Sequence, residues 1–253
     1  MGSPRPLGRS PSGGGGLVRA ALGPVRDVDD GRPVGLSSDG AGIRRGTAPP
    51  VSPPLLLLAW AAFLALAAAV LLTGILPGDE WVRQAVLAHA APPVVEAMRW
   101  VNLVGTWRVL LPVALGLLLF PRTRRRWWLW LLVLLLASAL ESLLKPVIGR
   151  PRPESPAFGF PSGHATAAAA YLTALAYAAG DLPPLGRRLV RAAAACLIVG
   201  VGLARIVLHA HWPSDVLGGM ALGLGCAGVA ALVERSRRGN PALQGGGERR
   251  SLR

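Results

Sequence analysis

The chain has 253 residues, 52% of them hydrophobic, a mean hydropathy of +0.45 and a formal net charge of +14. Apolar residues gathered in long blocks without a helical polar face exclude an ordinary soluble domain. Basic residues at the ends of those blocks, not along one stripe or recognition helix, exclude a nucleic-acid-binding module, and two cysteines exclude a disulfide scaffold.

Residues 1–53 are rich in Gly, Pro, Ser and Arg, include the run Gly13 to Gly16 and hold no apolar stretch long enough to pack, so a disordered basic tail is expected. No signal-peptide pattern precedes the first apolar block, which is expected to direct insertion itself. From Leu55 to Leu76 no charge interrupts 22 residues, enough for a helix to cross the hydrocarbon core. Asp79 to Asn102 mixes charged and apolar residues and breaks at Pro92-Pro93, the pattern of an amphipathic segment on the outer surface. The next block, Trp107 to Phe120, is short for a span unless it begins near Val101, and a re-entrant or buried helix is its alternative.

Trp127 to Leu144, His164 to Gly180, Leu189 to Leu208 and Pro213 to Val233 follow. The sequence therefore predicts an all-α integral membrane protein with six transmembrane helices over residues 54–234, flanked by disordered cytoplasmic tails at 1–53 and 235–253. Cys196 and Cys226 fall inside predicted spans and are expected to be packing residues. Gly219-x3-Gly223 permits close helix approach, within the protein or between subunits.

Arginines cluster after alternate spans: Arg122, Arg124, Arg125 and Arg126, then Arg187, Arg188 and Arg191, then Arg235, Arg237 and Arg238. The positive-inside bias puts these clusters and both termini in the cytoplasm. Trp60, Trp127, Trp128, Trp130 and Trp212 lie near span ends, where an interfacial belt and ordinary packing are equal readings.

Of the 27 Lys and Arg residues a single one, Lys145, is a lysine. It opens a spaced polar series: Lys145-x6-Arg152-Pro153, then Pro161-Ser162-Gly163-His164, then Arg205-x5-His211-x3-Asp215. All three segments fall at the outward ends of predicted spans, and ionisable residues at membrane depth are functional candidates by default. Lys145, Arg152 and Arg205 supply three cations, two with the planar fork that grips paired phosphate oxygens. Ser162-Gly163-His164 leads into a helix whose free N–H groups would hold further oxygens, although Ser162 is equally a plain N-cap. Two histidines suffice for phosphoryl transfer through a covalent intermediate, one attacking phosphorus and one protonating the departing alkoxide. Asp215, four residues after His211, is placed to accept its Nδ1–H and select it as nucleophile, which leaves His164 as the acid. This chemistry needs neither metal nor cofactor.

The three segments, over Leu143 to Gly219, resemble the tripartite signature of the type-2 phosphatidic acid phosphatase and vanadium haloperoxidase superfamily. The resemblance implies a histidine phosphatase core, with His211 as the phosphohistidine nucleophile and Asp215 as its orienter. It implies His164 as leaving-group acid and later water-activating base. Lys145, Arg152, Ser162, Gly163 and Arg205 are implied as phosphate ligands. Ala204 departs from the serine that many members carry before the arginine.

Near the series, Glu141 lies one turn before Lys145, in the favourable order for an ion pair. It either holds and neutralises the lysine or serves as a structural contact, while His209 is read as structural and His89 has no assigned role. The expected function is a phosphatase acting on a membrane lipid phosphate or diphosphate at the outer leaflet of the plasma membrane. Undecaprenyl diphosphate, phosphatidic acid and phosphatidylglycerol phosphate remain open as substrates. The alternatives are a lipid phosphotransferase and a non-catalytic lipid-binding or transport protein; six apolar spans argue against the soluble haloperoxidase branch.

Overall fold

A computed structural model of the chain describes residues 52–124 and 126–239. The expected tail at 1–51, Arg125 of the first arginine cluster and the chain beyond 239 lie outside the described residues. The helices are α1 (Pro53–Thr73), α2 (Asp79–Leu87), α3 (Pro92–Leu103), α4 (Trp107–Leu117), α5 (Pro121–Arg124), α6 (Trp127–Ile148), α7 (Gly163–Ala178), α8 (Pro184–Val207) and α9 (Pro213–Gly239). Proline opens α1, α3, α8 and α9, where its fixed φ suits the first turn and its missing N–H leaves nothing unpaired. Between α6 and α7 lies a short antiparallel hairpin, β1 (Pro151–Arg152) with β2 (Ser155–Phe158), in a chain whose described residues are otherwise mostly helical.

Among the described residues, four helices can cross a bilayer by length and apolar composition: α1, α6, α8 and α9. A fifth span arises if α3 and α4, bent by 46° across a short break, count as one. The break falls at Val104–Thr106, so the second predicted span is not the straight helix that a start near Val101 would give. α7, with 16 residues and a length of about 24 Å, is shorter than a full span. Its predicted last turn, up to Gly180, tightens into a 3-10 turn over Ala179–Asp181. Six full-length spans are therefore not observed among the described residues, although each predicted apolar block forms a helix over most of its length.

α7 is the central helix. It packs on α6, α8 and most extensively on α9, which also packs on α1. The small side chains of α7, with Ala165, Ala168, Ala169 and Ala170 all at 0% exposure, let the neighbouring helices approach. On α9 a Cβ at Gly219 would lie 2.6 Å from the Ser162 carbonyl oxygen, and one at Gly223 would lie 2.8 Å from both Ala169 Cβ and the Ala170 backbone nitrogen. The Gly219-x3-Gly223 pair therefore serves packing within the protein. By contrast Leu57, Leu72 and Leu119 stay on the surface at 70%, 85% and 84% exposure, as lipid-facing side chains do.

The tryptophans divide. Trp127 is exposed, Trp130 and Trp212 are buried, and Trp60 meets Phe63 edge-on at 6.2 Å. Phe63 in turn stacks on Phe160 at 6.0 Å, joining α1 to the segment that enters α7. Cys226 is buried in the core, whereas Cys196 is exposed on α8. At the end of the bundle where α6 begins, Arg126 is buried and pairs with Asp181 at 2.6 Å and with Glu234 of α9 at 3.5 Å. One arginine of a cluster read as a topology signal thus also fastens helix ends together.

The α7–α9 contact gives a direct test. Gly223→Leu forces a branched side chain against the backbone of α7, and overpacking of this kind costs about 1–3 kcal/mol. Thermal unfolding in detergent is expected to show a clearly lowered Tm for this variant, with little change for a Leu placed at the uncrowded Gly116.

Candidate active site

The three segments of the polar series meet at one end of the bundle. α6 delivers Lys145 in its last turn, β1 carries Arg152, α7 starts with Gly163 and His164, and α8 ends just beyond Arg205. His211 follows in the short connection to α9, whose first turn holds Asp215. Lys145, Arg152, Gly163, His164, Arg205 and His211 line a single cavity of about 590 Å3. Ser162 and Asp215 stand behind its wall.

His211 is 1% exposed, and its Nδ1 lies 3.3 Å from Asp215 Oδ2. The same carboxylate oxygen accepts the Trp212 backbone N–H at 3.1 Å. A proton on Nδ1 facing Asp215 leaves the Nε2 lone pair free, the form a nucleophile requires. Burial lowers the His211 pKa below the ordinary 6.5; Asp215 opposes the shift, and Arg205 and Arg152 add to it.

Ser162 holds the N-cap position of α7, yet its hydroxyl makes no cap bond and is buried without a partner. Its backbone N–H is also taken, donating to the Asp215 carbonyl oxygen at 3.0 Å. The first amide that α7 uses internally is that of Thr166, bonded to the Ser162 carbonyl oxygen at 2.9 Å. The amides of Gly163 and His164, not that of Ser162, are thus the helix-end donors nearest the cavity. A Cβ at Gly163 would lie 2.5 Å from Glu141 Oε1, so glycine is what lets the start of α7 approach α6.

Glu141 is ion-paired with Lys145 and lines the cavity. Arg205 is buried and donates from Nη1 to Asn102 Oδ1 at 2.8 Å, while Arg152 donates from Nε to the Phe158 carbonyl oxygen at 3.1 Å. Each arginine is thereby held at one edge with other N–H groups left over. His209 stands apart, its backbone at φ 57 and its Nδ1 2.6 Å from Glu154 Oε1, in a surface cluster with Arg83.

Sequence reasoning missed three residues here. Asn102 carries no motif signal. Arg150 stands outside the three motifs, on the side of the membrane that the arginine clusters leave poor in arginine, and Asp79 reads only as part of an amphipathic stretch. Both are buried at 4% exposure and bonded to each other. An arginine retained on the arginine-poor side was the available clue.

A family model described as PAP2 superfamily matches residues 126–238. Phosphatidylglycerophosphatase B of Bacillus subtilis (strain 168) is 35% identical over 178 residues, which are 64% of this chain and 86% of that protein. The chain belongs to the PAP2 superfamily. A second relative of this PAP2 protein is the decaprenylphosphoryl-5-phosphoribose phosphatase of Mycobacterium tuberculosis (strain ATCC 25618 / H37Rv). It is 33% identical over 138 residues, covering 51% of this chain and 70% of its own. Among solved structures, one described as the first transmembrane PAP2 type phosphatidylglycerolphosphate phosphatase from Bacillus subtilis superposes with a TM-score of 0.64. It is 29% identical and covers 72% of this chain and 96% of its own.

The lowered His211 pKa predicts that this imidazole stays neutral into mildly acidic solution. Titration of the imidazole NMR signals, with His211 assigned through a His211→Asn variant, is expected to give a midpoint below 6.5. A midpoint above that value would contradict the effect of burial.

Proposed function

We propose that this protein is a membrane lipid phosphatase that hydrolyses a lipid phosphate monoester at the outer leaflet through a phosphohistidine on His211. The observation that carries the proposal is the gathering of Lys145, Arg152, Arg205, His164 and His211 around one cavity. Hydrolysis of a phosphate on a membrane lipid is the activity for which the relatives above are named.

In the first step the His211 Nε2 lone pair attacks phosphorus, the bond to the lipid oxygen breaks, and His164 gives its proton to the departing alkoxide. In the second, His164 takes a proton from water as the water oxygen attacks the same phosphorus. The P–N bond then breaks, and inorganic phosphate leaves with His211 regenerated. Lys145, Arg152 and Arg205, with the Gly163 and His164 amides, hold the equatorial oxygens, whose charge they meet in a site partly screened from water. Asp215 stabilises the cationic ring of phosphohistidine. No step requires a metal.

A lipid substrate is supported by a second cavity, of about 180 Å3, that adjoins the first. It shares Trp107, Glu141 and Gly163 with the cationic cavity, and its remaining wall includes Leu110, Leu111 and Leu134. A headgroup in one and the start of a hydrocarbon chain in the other fit this pairing of polar and apolar space. The outward orientation is supported by charge, since Arg126, Arg187, Arg188, Arg235 and Arg237 lie toward the opposite ends of α6, α8 and α9.

Purified protein in detergent, without added metal, is expected to release phosphate from phosphatidylglycerol phosphate or phosphatidic acid in preference to undecaprenyl diphosphate. Preference for the diphosphate would overturn the monoester assignment. His211→Ala is expected to abolish release while the protein still folds, with a cooperative unfolding transition at a somewhat lowered Tm. His164→Asn should lower kcat roughly 10²–10⁴-fold, the usual contribution of general acid–base catalysis. Unchanged turnover in His211→Ala would end the proposed mechanism.

A further inference from the structure

We infer that Arg150 and Asp79 are positioning residues for the nucleophile: Asp79 on α2 holds Arg150, Arg150 holds Asp215, and Asp215 sets the tautomer of His211. The inference rests on the phosphohistidine reading and adds to it an element, α2, that lies outside all three motif segments.

The contacts form one chain. Arg150 Nη1 donates to Asp215 Oδ1 at 2.9 Å and to Ser214 Oγ at 2.6 Å, and Nη2 donates to Asp79 Oδ2 at 2.5 Å. Ser214 closes the loop from the other side. Its Oγ donates to Asp79 Oδ2 at 2.7 Å, and its backbone N–H donates to Asp79 Oδ1 at 2.9 Å. Asp79 also accepts the Leu76 backbone N–H at 3.2 Å, so its carboxylate is fastened to the turn before α2. Asp79, Arg150, Ser214, Asp215 and His211 are each at most 4% exposed.

The two oxygens of Asp215 have separate duties. Oδ2 faces His211 Nδ1 and the Trp212 amide, and Oδ1 is taken by Arg150. A carboxylate held at both oxygens cannot swing about its χ2 axis, so its lone pair stays aimed at Nδ1. Carboxylates behind a working histidine act in this way, fixing both tautomer and ring orientation. Formally, two carboxylates and one guanidinium leave a single negative charge behind the imidazole. That charge is matched when the ring becomes cationic on phosphorylation.

Arg150 is not placed to bind substrate. Neither it nor Asp79, Ser214 or Asp215 lines the cationic cavity, and the face of the guanidinium is covered by the Trp212 ring at 5.6 Å. Its role differs from that of Arg152, two positions on, which does line the cavity.

The test compares Asp79→Asn and Arg150→Lys with the wild type, using phosphatidylglycerol phosphate in detergent. Both variants are expected to lower kcat roughly 10–100-fold, as loss of a partner behind a histidine does, with KM unchanged. The imidazole nitrogen shifts of His211 should show the proton on Nδ1 in the wild type and partly on Nε2 in the variants. Where a charged-site variant fails to fold, Ser214→Ala removes the bridging hydroxyl without altering charge and is expected to show the same changes to a smaller degree. Unaltered kcat and tautomer would overturn the inference, and so would a raised KM at constant kcat, which would make Arg150 a substrate ligand. A wild type that releases no phosphate from this lipid, from phosphatidic acid or from undecaprenyl diphosphate would instead end the functional reading, and the tautomer measurement would still decide the inference.

Discussion

The guanidinium of Arg150, buried between the carboxylates of Asp79 and Asp215, joins the segments on which the site depends. Taking such ions out of water costs several kcal/mol each, and only close, multiply hydrogen-bonded pairing offsets it. Here the pairing draws on α2, the start of the hairpin and the first turn of α9. Removing one member would strand the others, a loss of about 3–5 kcal/mol for a buried pair. The network therefore holds the His211 loop in one place as much as it stabilises the chain.

The cationic cavity is built on that frame by the ends of three helices of the bundle. Lys145 is carried by the last turn of α6, Arg205 by that of α8, and His164 by the first turn of α7. Their separation is fixed by how closely the helices pack, and this is where the alanines of α7 and the glycines of α9 matter. A larger residue at Gly219 would press on the Ser162 carbonyl and move the start of α7. The small residues at mid-bundle are in this sense part of the cavity's geometry.

Much of this was legible in the chain. The spacing of Lys145, Arg152, His164, Arg205, His211 and Asp215 picked out residues that the fold brings to one place, because each motif is local and each lies beside a helix end. The apolar blocks marked the helices for the same reason. Their number as full spans was not legible, since α7 is shorter than its apolar run and α3 breaks from α4 at Val104–Thr106. Asp79 and Asn102 were out of reach because their partners are far along the chain, Ser214 being 135 positions after Asp79 and Arg205 being 103 after Asn102. Contacts at such distance leave no periodicity and no motif. The choice between packing and subunit contact for Gly219 and Gly223 likewise needed the neighbouring helix to be seen.

Glu141, paired with Lys145 on the cavity wall, has a further consequence. If a phosphate binds at Lys145 as proposed, it meets an ammonium already paired with a carboxylate, and the lysine would then exchange one counterion for another. Such an exchange yields less net attraction than a fresh pairing, and free orthophosphate, with no hydrocarbon tail to anchor it, feels that handicap most. A tethered lipid headgroup would still compete well. The acidic side chain would thereby ease departure of the spent anion and keep the enzyme from clogging on its own product.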